Sequence, residues 1–161
     1  MAKSKLPTTP AVRVLKQAKT DFEGHEYKYE DKGGSAVAAR ELGVDEHTVI
    51  KTLVFEDDRK NPLLVLMHGD KQVSVKSLAR ILGVKTITPC TPDTANKHTG
   101  YQVGGISPLG TRKELPVYIE ETILALDLIR VNGGKRGFLV EMKPADLAAL
   151  TKAQPINVAV D

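Results

Sequence analysis

The run Val49-Ile50-Lys51-Thr52-Leu53-Val54-Phe55 is rich in β-branched and aromatic residues and reads as a strand. Side chains two apart on a strand share a face. Lys51, Leu53 and Phe55 therefore point one way, and Ile50, Thr52 and Val54 the other. Both faces are largely apolar, which predicts a central strand covered on both sides. Residues 63–68 are its natural partner, and the charged connection Glu56-Asp57-Asp58-Arg59-Lys60-Asn61-Pro62 predicts a hairpin.

Toward the N-terminus, Thr9 followed by Pro10 supplies an N-cap and a first helical position, and the spacing predicts an amphipathic helix over 10–19, stopped by Gly24. Residues 25–30 read as a short strand with Tyr27 and Tyr29 on one face, broken by Gly33-Gly34. Ser35 caps a helix through Leu42 that ends at Gly43, and Asp45 starts a further turn. Toward the C-terminus, helices are expected over 74–82, closed by Gly83, over 92–98 and over 144–151. Strands are expected over 85–88, 117–120 and 128–131, with a loop at 104–110. Asn132-Gly133-Gly134 is read as a turn that returns the chain antiparallel over 137–142, and 157–160 as an edge strand. Strands irregularly mixed with short helices predict an α+β domain rather than a doubly wound sheet. Residues 1–8 are expected to be a flexible tail and 9–161 one domain.

Composition narrows the classes. At 41% hydrophobic and 27% charged, 161 residues are enough for a core and exclude a disordered or fibrous chain. A net charge of +3 permits a polyanionic partner without requiring one. The single cysteine, Cys90, rules out an intramolecular disulfide and fits a reducing cytoplasm; with no partner for a thiolate it reads as structural. The basic opening is followed by no apolar stretch, so a soluble cytoplasmic protein is expected.

Chemistry is sparse. His25, His47, His68 and His98 are scattered without metal-ligand spacing, and there is no P-loop or GxGxxG, so no metal or cofactor is expected. Ser107, in Gly104-Gly105-Ile106-Ser107-Pro108-Leu109-Gly110, fails as a nucleophile elbow: Leu109 stands where glycine is needed, and Pro108 lacks the N–H of an oxyanion hole. Two readings of this loop remain, a structural turn or bare amides approaching a ligand carbonyl. Lys51 is costly to bury unpaired. It is either a lysine that snorkels to water or a cation at the lip of a pocket. The segment Gly133-Gly134-Lys135-Arg136-Gly137 is either a tight hairpin with solvated charges or a tip that meets phosphate oxygens.

Together, TPAVRVL from Thr9, HEYKY from His25, VIKTLVF from Val49, TGYQVGGISPLG from Thr99 and VNGGKRG from Val131 resemble the YbaK/EbsC family of aminoacyl-tRNA deacylases, in the branch that clears cysteine from proline tRNA. The resemblance spans about Thr9 to Thr151. VIKTL is the weaker piece, being shared with editing domains inserted in prolyl-tRNA synthetases. It implies a mixed, mostly antiparallel sheet with flanking helices around a small pocket. It also implies Lys51 as the catalytic lysine, with Tyr27, Thr52, Gly104, Gly105, Ile106, Ser107 and Gly134 around the substrate and Lys135 and Arg136 as tRNA phosphate contacts. Mischarged tRNA(Pro) is the implied partner, with prolyl-tRNA synthetase as a possible second. Family members often carry an aspartate where this chain has Leu139; Glu141 follows on the same face.

The mechanism implied needs no enzyme nucleophile. The thiol of a cysteinyl ester attacks its own carbonyl, and the protein holds the geometry and stabilises the oxyanion. A water-mediated deacylase of alanyl or other small esters, and a noncatalytic tRNA-binding module, are the alternatives.

Overall fold

The structure is a computed structural model and describes residues 6–161. Residues 1–5 of the expected tail lie outside the described residues, whereas Leu6 packs against the core.

Helix α1 spans Pro10–Gln17, its Val12 amide capped by the Thr9 hydroxyl at 3.1 Å. It ends before the expected residue 19, because Lys19 takes a left-handed φ of 54°. Gly24 is therefore not its stop. It lies within β1, Glu23–Glu26, where a Cβ would come within 2.9 Å of the Phe138 ring. Tyr27 and Tyr29, expected inside that strand, fall after it. The Tyr27 amide still reaches the Gly137 carbonyl (2.9 Å), but there the partner strand begins and the ladder has nothing further to pair with.

Helix α2, Gly34–Leu42, starts one residue before the expected cap. Ser35 lies inside it and its hydroxyl turns elsewhere, while Gly43 closes it in the left-handed region at φ 66°. A 3-10 turn over Glu46–Thr48 leads into β2, Val49–Asp57, which pairs antiparallel with β3, Pro62–His68. There follow β4, Gln72–Val73; α3, Val75–Leu82, capped by Ser74; and β5, Ile87–Pro89. The last sits later than the expected 85–88 because the Asp58 carboxylate takes the Lys85 and Thr86 amides. Helix α4 is Pro92–Thr99, and β6 is Val117–Glu120.

Strand β7, Ile129–Lys135, runs straight through the expected Asn132-Gly133-Gly134 turn, and β8 is Phe138–Met142. The chain turns at Arg136 and Gly137 instead. The two glycines form a bulge, the register stepping from Asn132↔Leu139 to Lys135↔Phe138. A Cβ on Gly133 would lie 2.3 Å from the Phe138 ring, which explains why the strand continues only with glycine there. Helix α5 is Pro144–Thr151. In place of one edge strand, β9 (Gln154–Ile156) adds parallel to β6, and β10 (Ala159–Val160) pairs with β4.

The main sheet runs β1-β8-β7-β2-β3-β6-β9, with β5 also on β2. Four of its pairings are antiparallel and three parallel, so the domain is α+β with a mixed, mostly antiparallel sheet. Ile50, Val54, Leu64 and Leu66 pack on one side with α1, and Phe55, Leu63, Val65 and Met67 on the other with α3. The central strand is thus covered on both faces, as its alternation predicts.

One edge of β2 is interrupted. It pairs with β7 only at Val49 and Ile50, and with β5 only from Phe55 to Asp57. The Cys90 amide donates to the Val54 carbonyl (3.0 Å), so the main chain of even-numbered residues turns to this edge. The N–H and C=O of Thr52 therefore face a gap.

Candidate functional site

A cavity of about 630 Å³ opens at this gap, a size that suits a small-molecule site. Lys51, Thr52 and Leu53 border it from β2, and Gln72 and Val73 from β4. Tyr27 and Tyr29 close it after β1, Gly104 and Ile106 from the glycine loop, and Arg136 from the β7–β8 turn.

Lys51 is half-buried and lines the cavity, and its ammonium donates to the Lys71 carbonyl. An ammonium has three donors, so two remain for a ligand. Burial lowers its pKa, opposed by the carboxylates of Glu46 and Asp70. The Thr52 hydroxyl is buried and has no partner among the described residues, an orphan that a bound polar group would satisfy. Burial, with Tyr29 beside it, raises the Tyr27 phenol and keeps it neutral.

The glycine loop is divided. Gly104 and Ile106 reach the cavity, while Gly105 and Ser107 do not line it. The Gly105 amide is used within the turn, donating to the Gln102 carbonyl (2.8 Å). Ser107 is fully buried and its Oγ accepts from the Leu109 amide (3.1 Å), so its side chain serves the turn. Gly104 has φ 90°, and a Cβ there would come within 2.5 Å of the Tyr29 hydroxyl, so glycine alone fits. Gly134 is a brace rather than a wall: its φ is 98°, its amide donates to Asn132 Oδ1 (2.7 Å), and a Cβ would meet Tyr101 at 2.7 Å.

Arg136 stands at the mouth, its guanidinium 5.3 Å from the Tyr29 ring centroid and its Nε donating to the Val103 carbonyl (2.9 Å). Lys135 is exposed and does not line the cavity. Leu139 forms part of the wall where the family often has aspartate, and Glu141 does not replace it. The Glu141 carboxylate accepts from Arg130 Nε (2.8 Å) and lies outside the cavity lining.

Four residues in or behind the site were not legible as such. Asn132 joins the bulge to the glycine loop, donating from Nδ2 to the Gly104 carbonyl (3.1 Å). Tyr101 is buried and donates to the Leu109 carbonyl (2.6 Å), holding the loop's far end. His47 and His68, read as scattered, stack with ring centroids 3.7 Å apart beside Asp70. The tyrosine beside the glycine run carries a weak signal, whereas the histidines meet only through the hairpin's return.

Cys90 borders the cavity's apolar end, and burial pushes its thiol up to about 11, so it is protonated near neutrality. Ser35 also borders it, but its hydroxyl donates toward Glu46 (2.7 Å) and Gly69 (3.0 Å). Among the described residues, no helix is long and apolar enough to cross a membrane.

An interrupted sheet edge, a half-buried lysine and a glycine loop thus surround one cavity in an α+β domain. The family model for the aminoacyl-tRNA editing domain matches residues 30–150, and the chain belongs to that family. It is 31% identical over 156 residues to EbsC of Enterococcus faecalis, assigned as a Cys-tRNA(Pro)/Cys-tRNA(Cys) deacylase. That match covers 96% of this chain and 95% of EbsC. It is 32% identical over 110 residues to the proline–tRNA ligase of Thermodesulfovibrio yellowstonii, covering 68% of this chain and 18% of the ligase. A crystal structure described as that of a trans-editing enzyme for prolyl tRNA synthetase superposes with a TM-score of 0.83 at 25% identity, covering 97% of this chain and 100% of the other. The family is the one its motifs resemble, and its activity class is deacylation of aminoacyl-tRNA.

Proposed function

We propose that this domain hydrolyses cysteine from mischarged tRNA(Pro), using the substrate's own thiol as nucleophile. Two of the cavity's nucleophilic side chains, Cys90 and Ser35, are ill suited to attack, and this carries the reading. The Cys90 thiol is held protonated by burial, and the Ser35 hydroxyl is engaged at the Glu46 carboxylate with no histidine bonded to it.

In the proposed reaction the cysteinyl sulfur attacks the ester carbonyl carbon, forming a C–S bond. The C–O bond to the terminal ribose breaks, and the thiol proton ends on the departing ribose oxygen. The cyclic thiolactone released is opened by water to free cysteine. Lys51, with two free donors, orients the ribose or phosphate end and favours the thiolate nearby. The amides of Gly104 and Ile106 polarise the carbonyl, and Tyr27 and Thr52 fix the aminoacyl group. Arg136, and Lys135 beyond it, meet tRNA phosphates. The likeness to EbsC supports cysteine as the amino acid, and the likeness to proline–tRNA ligase supports tRNA(Pro) and association with the synthetase.

The test is deacylation of cysteinyl-, alanyl- and seryl-tRNA(Pro) by wild type and Lys51→Ala, side by side. Loss of cysteine alone, dependent on Lys51, is expected. Turnover of alanyl or seryl ester would move the reading to a bound water, and no turnover of any ester would leave a binding module.

A further inference from the structure

The turn Gly69-Asp70-Lys71 between β3 and β4 is pinned from three directions. A Cβ on Gly69 would lie 2.7 Å from the Glu46 and Val49 carbonyls and from Ser35 Cβ, so the turn sits flush on the 3-10 turn and α2. The Ser35 hydroxyl meets the Gly69 carbonyl at 3.0 Å. Asp70 Oδ1 lies 2.8 Å from His47 Nδ1. On the far side Lys71 pairs with Asp161, and β4 pairs with β10.

His47 is itself immobilised. Its ring stacks on His68 with an interplanar angle of 6°. His68 is 1% exposed, and both its nitrogens are engaged, Nδ1 with the His47 carbonyl (2.8 Å) and Nε2 with Thr122 Oγ1 (2.7 Å). With one ring locked and the other stacked on it, the bond to Asp70 has little freedom. The next residue after Asp70 supplies the carbonyl that accepts from Lys51 Nζ.

The charges point the same way. Burial disfavours the Lys51 ammonium, while Glu46 from the 3-10 turn and Asp70 from the β3–β4 turn oppose it. Burial alone would raise the Asp70 carboxyl, but the bond and charge of His47 outweigh it and hold Asp70 below its ordinary value. Further titratable groups around the array are His68 from β3, Glu120 from β6, Asp45, whose carboxylate accepts from the His47 amide (3.0 Å), and Lys71 with its partner Asp161.

We propose that His47 and Asp70 are positioning residues for Lys51: they lock the turn whose Lys71 carbonyl holds the Lys51 amine at the cavity wall. Its effect on turnover rests on the deacylase reading; its effect on Lys51 does not. The array has a second readout for that reason. Lysines are dimethylated with a ¹³C label and Lys51 is followed by NMR across pH, its signal assigned by loss in Lys51→Arg.

In Asp70→Asn, Lys51 is expected to lose its charge at a lower pH than in wild type, because one of the two carboxylates that oppose its burial is gone. A lower ammonium pKa means the charged form disappears sooner as pH rises, so the alkaline limb of Cys-tRNA(Pro) deacylation moves to lower pH. The expected change in kcat is a fall of about tenfold with KM changed less than about twofold. His47→Ala is expected to share this behaviour, whereas His47→Gln, which keeps a donor to Asp70, retains most of the wild-type titration. A folded Asp70→Asn protein, judged by circular dichroism, whose Lys51 titration and alkaline limb match wild type would overturn the proposal. Should wild type deacylate no ester, the deacylase reading falls and the Lys51 titration alone decides whether His47 and Asp70 position Lys51.

Discussion

Lys51 shows how one residue gains its chemistry from its surroundings. It belongs to an otherwise apolar strand, yet it meets the cavity at the place where the sheet edge is open. Its folded pKa lies below the ordinary 10.5, so burying the ammonium costs stability at every pH where it is charged in the folded state. That cost disappears as pH rises from the folded value toward 10.5. Lys51→Met is therefore expected to abolish deacylation while leaving the urea midpoint unchanged or higher, with the gain largest near neutrality and shrinking in alkali. A midpoint lowered at neutral pH would contradict this. Cys90 makes the complementary case: with its thiol near 11, alkylation by iodoacetamide, followed by mass spectrometry, is expected to be slow at pH 7.5 and to accelerate steeply above pH 10. Rapid labelling at neutral pH would show a thiolate that the cavity does not hold.

At the scale of elements, the β7–β8 hairpin and the glycine loop form one unit. Asn132 binds Gly104 on one side and the Gly134 and Lys135 amides on the other, and Thr9 Oγ donates to the Gly133 carbonyl (2.6 Å) across 124 residues of chain. Within the bulge, Phe138 fills the space a Cβ would need at Gly133. Gly133→Ala is expected to destabilise the fold by about 1–3 kcal/mol in denaturant unfolding, through overpacking of a fully buried ring. Thr9→Ala is expected to lose about 1 kcal/mol or more, since it removes both the cap of α1 and the bond to Gly133. Full stability in either variant would show that the hairpin is not tied as described.

For the whole molecule, the C-terminal segment closes the structure behind the site. Glu120 is 1% exposed, and one of its oxygens accepts from the Val158 and Ala159 amides at 2.7 and 2.8 Å. Those bonds seat β10 on β4, which borders the cavity through Gln72 and Val73. Glu120→Ala is expected to cost about 1–3 kcal/mol and to raise hydrogen exchange at the Val158 and Ala159 amides selectively. Unchanged exchange there would separate Glu120 from the closure of the C-terminus.

The sequence by itself determined the parts with local causes. Gly43 and Gly83 end their helices in the left-handed region, Thr9 and Ser74 cap theirs, and alternation through Val49–Phe55 sets the two faces of the central hairpin. The motifs also carried the family. Only the tertiary structure decided which residues make the site, because that depends on partners far away in sequence. Whether Asn132-Gly133-Gly134 is a turn or a bulge depends on Phe138 and Tyr101. Whether Ser107 meets a ligand depends on how its hydroxyl is spent, and whether two scattered histidines do anything depends on a hairpin that stacks them. The cavity itself is a stretch of strand edge left unpaired, and no local signal marks which strand will be missing a neighbour.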